Sequence, residues 1–272
     1  MDSDKKEKSK LKQQECKKRK KDKDDYLPEA NEARRCEIPI KKIKVTEEKQ
    51  AGRGKEGVKK GEEKKKIIEK KRTEPSIVIL DLDTTGLIKG NNIPDITQIA
   101  ASKIGSRKTF YRYVSPEQII SDDAKTVSGI DWSNGILTYQ GNPVDFVGIK
   151  TALNDFLDWL KKFDDVIIVA QFGFGFDFLV MDRALCSCDL KDRFKSIGAT
   201  FCDSINIIKD KHPGLGSYAQ KSLAWHFCGE TYDTHNATDD VAMLKKILKN
   251  AGISTSDFRR HSVDYTSIPN KC

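Results

Sequence analysis

Apolar residues follow two kinds of pattern along the chain, and the first kind, short runs bounded by turn residues, predicts strands. Residues 77–86 begin with an apolar, largely β-branched run and end in Thr-Thr-Gly, which predicts a buried strand followed by a turn. Residues 93–101 and 109–114 predict a hairpin directly after this strand. Residues 166–170 predict a second buried strand, and residues 201–205 a short one.

Spacings of three and four predict the helices. The apolar positions of residues 146–163 form one amphipathic face, in a helix that we expect to open at Asn142-Pro143. The other predicted helices are a short one at 121–127, capped by Ser121 and closed by Gly129, and three more at 178–185, 217–228 and 237–249. This order predicts an α/β fold, a mixed sheet flanked by helices in the ribonuclease-H-like arrangement.

Composition divides the 272 residues into three parts. Residues 1–75 carry 27 Lys and Arg against 17 Asp and Glu, a net charge of +10, whereas the remainder carries 22 against 24, a net charge of −2. The first part has too few apolar residues to offset its ordering entropy, so we expect a disordered Lys/Glu-rich tail. Residues 76–252 form the expected folded domain, and residues 253–272 read as a loose C-terminal tail.

Two basic runs, at residues 17–21 and 41–44, are typical of nuclear import signals or nucleic-acid contacts, or of a tail that only improves solubility. The sequence has no apolar run of 18 residues and no apolar core of a secretory signal, so we expect no membrane span and no secretion. Location in the nucleus or cytoplasm follows as the expectation.

A pair of acids ends the first predicted strand. Asp81 and Asp83 are two residues apart, so their side chains point to the same face. Two neighbouring carboxylates repel each other and are costly to bury, and a divalent metal ion is the usual partner of such a pair. The alternative is a pair that is simply solvated at the end of the strand.

Two further acids and one histidine are candidates. Asp177 starts a helix after a strand and a glycine-containing loop, where the common role of an aspartate is to cap the helix. Asp240 borders the apolar stripe of helix 237–249 and needs a partner there. His235 lies just before the same helix.

These motifs resemble the proofreading-type 3′–5′ exonucleases, a family with four acids and one histidine in this order. The motif His235-Asn-Ala-Thr-Asp-Asp240 is the most specific part of a match that covers about residues 76–250. Within the family, the chain resembles the three-prime repair exonucleases and the exonuclease-like domain of long promyelocytic-leukaemia proteins.

The resemblance implies hydrolysis of phosphodiesters at the 3′ ends of DNA or RNA, with release of nucleoside monophosphates. Two Mg²⁺ or Mn²⁺ ions would be held by Asp81, Asp83, Asp177 and Asp240. His235 would accept the proton of the attacking water. Thr84 and Gly86 would lie beside the terminal nucleotide. The oligomeric state stays open, and the resemblance allows a dimer.

The chain departs from the family pattern twice. Asp83 stands where the family has Glu, and Gln171-Phe172-Gly173 replaces His-Asn-Gly. A catalytically weak or inactive exonuclease fold that binds nucleic acid or protein is therefore the alternative to an active enzyme. A third reading is a haloacid-dehalogenase-type phosphatase, because the residues from Asp81 to Thr85 resemble its nucleophile motif, but a hairpin after this motif disagrees with that fold.

Overall fold

The computed structural model describes residues 74–232 and 236–269. Within these ranges the strands are β1 (Ser76–Thr84), β2 (Ile96–Lys103), β3 (Thr109–Ser115), β4 (Ile130–Ser133), β5 (Ile136–Tyr139), β6 (Asn142–Pro143), β7 (Phe146–Gly148), β8 (Val166–Ala170), β9 (Thr200–Asp203) and β10 (Val263–Asp264). The predicted tail before residue 74 and the candidate base His235 lie outside the described residues.

The helices in the same ranges are α1 (Asp122–Ser128), α2 (Ile149–Leu160), α3 (Asp177–Ser187), α4 (Lys191–Lys195), α5 (Ser204–Lys211), α6 (Gln220–Cys228), α7 (Ala237–Asn250) and α8 (Thr255–His261), followed by a 3₁₀ turn at Tyr265–Ser267. None of these helices has the length and the apolar character needed to cross a membrane.

Seven strands form one mixed sheet in the order β10-β9-β8-β1-β2-β3-β7. β1 pairs antiparallel with β2 and parallel with β8, so it lies in the middle of the sheet. Three short strands, β4, β5 and β6, form a second sheet. The predicted α/β fold, a ribonuclease-H-like mixed sheet flanked by helices, is confirmed.

The two faces of β1 belong to different layers because side chains alternate along a strand. Val78, Leu80 and Leu82 pack into the core that also contains apolar side chains of α2 and α3. Ile77 and Ile79 face the opposite way, into the core built with α5, α6 and α7. Asp81 and Asp83 therefore continue the face that α7 covers.

Several predicted elements are confirmed close to their predicted ends. The hairpin is β2 and β3, and the second buried strand is β8. Helix α1 has both predicted caps, since the Ser121 side chain accepts from the backbone N–H of Ala124 and Gly129 ends the helix at φ 71°.

The predicted start of the long helix at Asn142-Pro143 was wrong. Residues 142–143 form β6, Phe146 lies in β7 beside Tyr113 of β3, and the helix begins at Ile149. Phe146 fits the helical spacing in the sequence, but its ring instead contacts Trp132 of the small sheet, the one formed by β4, β5 and β6, at 5.1 Å between centroids.

The prediction of a loose tail after residue 252 was also wrong for its described part. Ser254 and Asp257 form a capping box that starts α8, and β10 pairs with β9. The Tyr265 ring packs against Phe194 and Phe201 at 5.3 and 5.8 Å between centroids. The sparse apolar residues of this segment are enough because they meet a core that is already formed.

Candidate active site

β1 presents Asp81 and Asp83 to the layer beneath α7. In the sheet register, Asp83 lies opposite Gln98 of β2, and Gln98 lies opposite Tyr113 of β3. Paired residues of neighbouring strands share a face, so these three polar side chains form a row across the sheet. Asp83 is 8% exposed and Gln98 is 1% exposed, which makes this row a polar inclusion in an apolar layer.

Asp177 reaches the pair from the start of α3. It is the first residue of α3, and its carboxylate Oδ1 accepts a hydrogen bond from the backbone N–H of Leu82 at 3.2 Å. The alternative role of Asp177 as the cap of this helix does not apply, since the N-cap residue is Phe176, which makes no side-chain capping hydrogen bond. The carboxylate instead ties the start of α3 to the strand residue between Asp81 and Asp83.

Asp240 comes from the first turn of α7. The backbone N–H of Ala237, which begins this helix, donates to Oδ2 of Asp83 at 3.0 Å and to Oε1 of Gln98 at 3.1 Å. These bonds satisfy one of the N–H groups that every helix start leaves without an intrahelical partner. They also fix the helix that carries Asp240 against the strands that carry Asp83 and Gln98.

Two residues that the sequence analysis missed hold the Asp240 side chain. The Tyr232 hydroxyl donates to Oδ1 of Asp240 at 2.6 Å. Gln220 Nε2 donates to the same oxygen at 3.1 Å, to the Asp240 backbone carbonyl at 2.9 Å and to the Tyr232 hydroxyl at 2.8 Å. Glutamine and tyrosine are common in helices and loops, so only the tertiary structure identifies these two. Gln98 could have been noticed in the sequence, because a polar residue inside an apolar strand needs a hydrogen-bonding partner.

The four carboxylates lie within one another's electrostatic field. Burial, and then the charges of Asp177, Asp240 and Asp83, raise the pKa of Asp81. Burial raises the pKa of Asp83 to about 8, against a lowering contribution from the Ala237 N–H. Burial also raises the pKa of Asp177 to about 8, and the charges of Asp203 and Asp240 add to it. The structure thus brings the four predicted acids together.

Thr84 and Gly86 form the turn that ends β1. The Thr84 hydroxyl donates to the Gly86 carbonyl at 2.7 Å, so its proton is used within the turn. The register of the pairing between β1 and β2 shifts between Asp83 and Thr84, so the regular ladder ends at this point. The pair lies directly after the acids, and its contact with a nucleotide stays a prediction.

The loop that replaces the family's His-Asn-Gly is anchored at its first residue and closely packed at its glycines. Gln171 Nε2 donates to the Tyr218 carbonyl at 2.8 Å. Gly173 has no room for a side chain, because a Cβ there would lie 2.5 Å from the ring of Phe178, which is 1% exposed. A Cβ at Gly175 would lie 2.2 Å from the ring of Phe172, a residue that is 58% exposed.

We expect Gly173→Ala and Gly175→Ala to differ sharply in stability. Gly173→Ala should lower the free energy of unfolding by about 1–3 kcal/mol, because the buried Phe178 ring cannot move aside. Gly175→Ala should cost much less, because it displaces an exposed ring. Urea unfolding of both variants measures the difference, and equal losses would contradict this account of the loop.

The donor chemistry of the acid cluster fits a divalent metal ion, since carboxylate oxygens are the preferred ligands of Mg²⁺ and Mn²⁺. Across residues 74–232 and 236–269, however, no group of three or more His, Cys, Asp or Glu side chains is already arranged to hold an ion. Hydrogen bonds to Leu82, Ala237, Tyr232 and Gln220 occupy oxygens of three of the four acids. The residues that would hold the ion are Asp81, Asp83, Asp177 and Asp240.

A family model described as Exonuclease matches residues 78–248, which is well over half of the chain. The chain belongs to the exonuclease family. The resemblance to proofreading-type 3′–5′ exonucleases is thereby confirmed at the level of the family, and with the fold it supports a nuclease. No curated protein sequence matches the chain.

Among solved structures, the exonuclease domain is similar to exonuclease I of E. coli, in a zinc-bound complex with single-stranded DNA, at 17% identity and a TM-score of 0.53. It is also similar to exonuclease I of Methylocaldum szegediense at 15% identity and a TM-score of 0.52. The matches cover 68% of this chain but only 43% and 42% of those chains. At this identity the similarity shows the fold alone.

Proposed function

We propose that the chain is a metal-dependent 3′–5′ exonuclease that releases nucleoside monophosphates from the 3′ ends of DNA or RNA. The observation that carries the proposal is the cluster of four carboxylates, Asp81, Asp83, Asp177 and Asp240, at the end of the central strand. Burying several like charges is unfavourable unless a cation offsets them. A polyanionic substrate could approach such a cluster only after its charge has been compensated.

The four acids would hold the divalent ions, Mg²⁺ or Mn²⁺. When bound, the ions supply polarisation of the phosphodiester and a nucleophile at neutral pH. Tyr232 and Gln220 would keep the Asp240 carboxylate oriented toward this site, and the Leu82 N–H would do the same for Asp177. His235 precedes Asn236, whose side chain caps α7, and would accept the proton of the attacking water.

One observation favours the alternative, a weak or inactive exonuclease fold that binds nucleic acid or protein. Asp83 replaces the longer Glu of the family, and it already accepts from the Ala237 N–H. Its carboxylate is therefore directed in part toward α7. Mg²⁺ demands near-ideal octahedral geometry, whereas Mn²⁺ binds oxygen sites somewhat more tightly and should tolerate such a site better.

We expect the full chain to release the label from a 3′-labelled single-stranded oligonucleotide as a monophosphate, and to shorten a 5′-labelled one stepwise. The rate with Mn²⁺ should exceed the rate with Mg²⁺ because the Asp83 side chain is short. Denaturing electrophoresis of both labelled strands measures direction and product. Asp240→Asn is the control that should remove the activity.

Two outcomes would count against the enzyme. Binding of the oligonucleotide without any cleavage, with either ion, would favour the binding module. Internal cleavage, or release from the 5′ end, would contradict the proposed direction.

A further inference from the structure

We propose that Phe172 is a base-stacking residue that holds one unstacked base of a single-stranded 3′ end beside the acid cluster. This inference rests on the proposed function and names its substrate class. It concerns the second position of the His-Asn-Gly pattern, where this chain has an aromatic residue instead of asparagine.

Phe172 is unusual in both its backbone and its exposure. Its φ is 59°, in the left-handed region that bulky residues rarely adopt. The residue is 58% exposed, although a large apolar residue would normally be buried. A strained backbone that presents an apolar ring to solvent is a cost to folding, and such costs collect at binding and catalytic sites.

Asp203 holds this strained loop in place. Its carboxylate is 4% exposed and accepts from the backbone N–H groups of Phe172 at 3.2 Å, Phe174 at 3.4 Å and Ile205 at 2.9 Å. One buried side chain thus fixes the loop on both sides of Gly173 and caps α5 as well. The position of Phe172 is therefore set by the fold before any ligand binds.

The ring itself is also supported. Its outer end lies against Gly175, in the space that a Cβ there would occupy. The Phe172 carbonyl accepts from the N–H groups of Gly175 at 2.9 Å and Phe176 at 3.0 Å, which closes a tight turn beneath the ring. A ring supported in this way loses little conformational entropy when a planar ligand stacks on it.

The loop borders the candidate active site. The N–H of Phe176, the residue before Asp177, donates to the Phe172 carbonyl at 3.0 Å. The N–H of Phe178, the residue after Asp177, donates to the Gly173 carbonyl at 2.9 Å. Asp177 follows Phe172 by five residues, at the start of α3. A ligand on the Phe172 ring would therefore lie at the edge of the acid cluster.

A nucleic-acid base is the ligand that fits this position. Every base has a π face, and stacking on an aromatic side chain tolerates any sequence. Bases inside a duplex already stack on their neighbours, so the site favours single strands. Lys209 supplies a cation near the loop, because its Nζ lies 5.3 Å from the centre of the Tyr218 ring and the Tyr218 carbonyl accepts a hydrogen bond from Gln171, the first residue of the loop.

Abasic substitution tests the inference without relying on catalysis. The probes are eight-nucleotide single-stranded oligothymidylates, intact or with one abasic residue at one of the last four 3′ positions. Binding to the full chain is measured by fluorescence anisotropy in Ca²⁺, and cleavage is measured separately in Mg²⁺ and Mn²⁺. We expect one abasic position to weaken binding about tenfold or more, as losses of single base–aromatic stacks do.

Variants assign that position to Phe172. Phe172→Asn keeps a residue that tolerates the left-handed backbone but removes the ring, and it should bind intact and abasic probes equally. Phe172→Tyr keeps the ring and should retain the abasic pattern. Gly175→Ala displaces the ring and should lose the pattern without unfolding. Ile136→Ala is the matched control, because Ile136 is 52% exposed but lies in the small sheet.

The outcomes separate this inference from the proposed function. The stacking role of Phe172 is rejected if no abasic position affects binding, or if Phe172→Asn keeps the wild-type pattern. Continued release from the 3′ end would then still support the exonuclease function. An abasic pattern that Phe172 variants remove, in a chain without cleavage, supports the inference and leaves the binding module as the function. If the wild-type chain binds none of the probes, both fail.

Discussion

Asp81→Asn is expected to reduce nuclease activity by roughly 10³-fold or more while it stabilises the fold at pH 8. Metal-assisted stabilisation of developing charge is worth several kcal/mol, and each 1.36 kcal/mol is a factor of ten in rate. The gain in stability has a separate cause. Burial and the charges of Asp177, Asp240 and Asp83 raise the pKa of Asp81, so the ionised form is disfavoured in the folded state.

The stability gain should depend on pH with a definite sign. A carboxyl whose pKa is raised by folding binds more protons in the folded than in the unfolded state, so stability falls as pH rises from about 4 toward the folded pKa. Asp81→Asn removes this group, so at pH 8 the variant should unfold at a higher temperature than the unmodified chain. Near pH 4 the gain should vanish.

Thermal unfolding at both pH values and oligonucleotide cleavage measure the two effects on the same samples. Asp145→Asn is the matched control, since Asp145 is an exposed aspartate in the connection between β6 and β7. Its stability and activity should stay within error of the unmodified chain. A loss of stability in Asp81→Asn at pH 8 would show that the Asp81 carboxylate is compensated by the fold itself, which would contradict our account of the cluster.

Mg²⁺ and Mn²⁺ are expected to stabilise the chain strongly at pH 8 and weakly at pH 5. Burial raises the pKa values of Asp83 and Asp177 to about 8, so protons occupy these oxygens at pH 5 and compete with the ion. An ion that binds only the folded state at 100 times its dissociation constant adds about 2.7 kcal/mol. Half-ionised acids bind a cation better than protonated ones, so the shift in Tm caused by the ion should increase from pH 5 to pH 8.

Differential scanning calorimetry of the chain, with each ion added in excess and without it, gives the measurement. Asp177→Asn should lose most of the shift, and Asp145→Asn should keep it. A shift of the same size at both pH values, or one that survives Asp177→Asn, would place the bound ion elsewhere.

The sequence determined the two acids on the first strand, because a period of two puts both side chains on one face whatever surrounds them. It also determined the hairpin, the buried strand β8 and the order of motifs along the chain, since these depend on local periodicity and turn residues. The family resemblance followed from the same residues. Each of these features depends on residues that are close together in the sequence.

The tertiary structure decided the features that join distant residues. The spacing of Phe146 fits a helix, yet pairing with β3 makes it part of β7, and the short segment from Ser254 to Ile268 is ordered only because a core is present to receive it. The bonds of Gln220 and Tyr232 to Asp240, and of Asp203 to the loop before α3, join segments that no periodicity relates. Hydrogen bonds and charge–charge effects depend on distance in space, so the sequence alone could name the four acids but not what holds them.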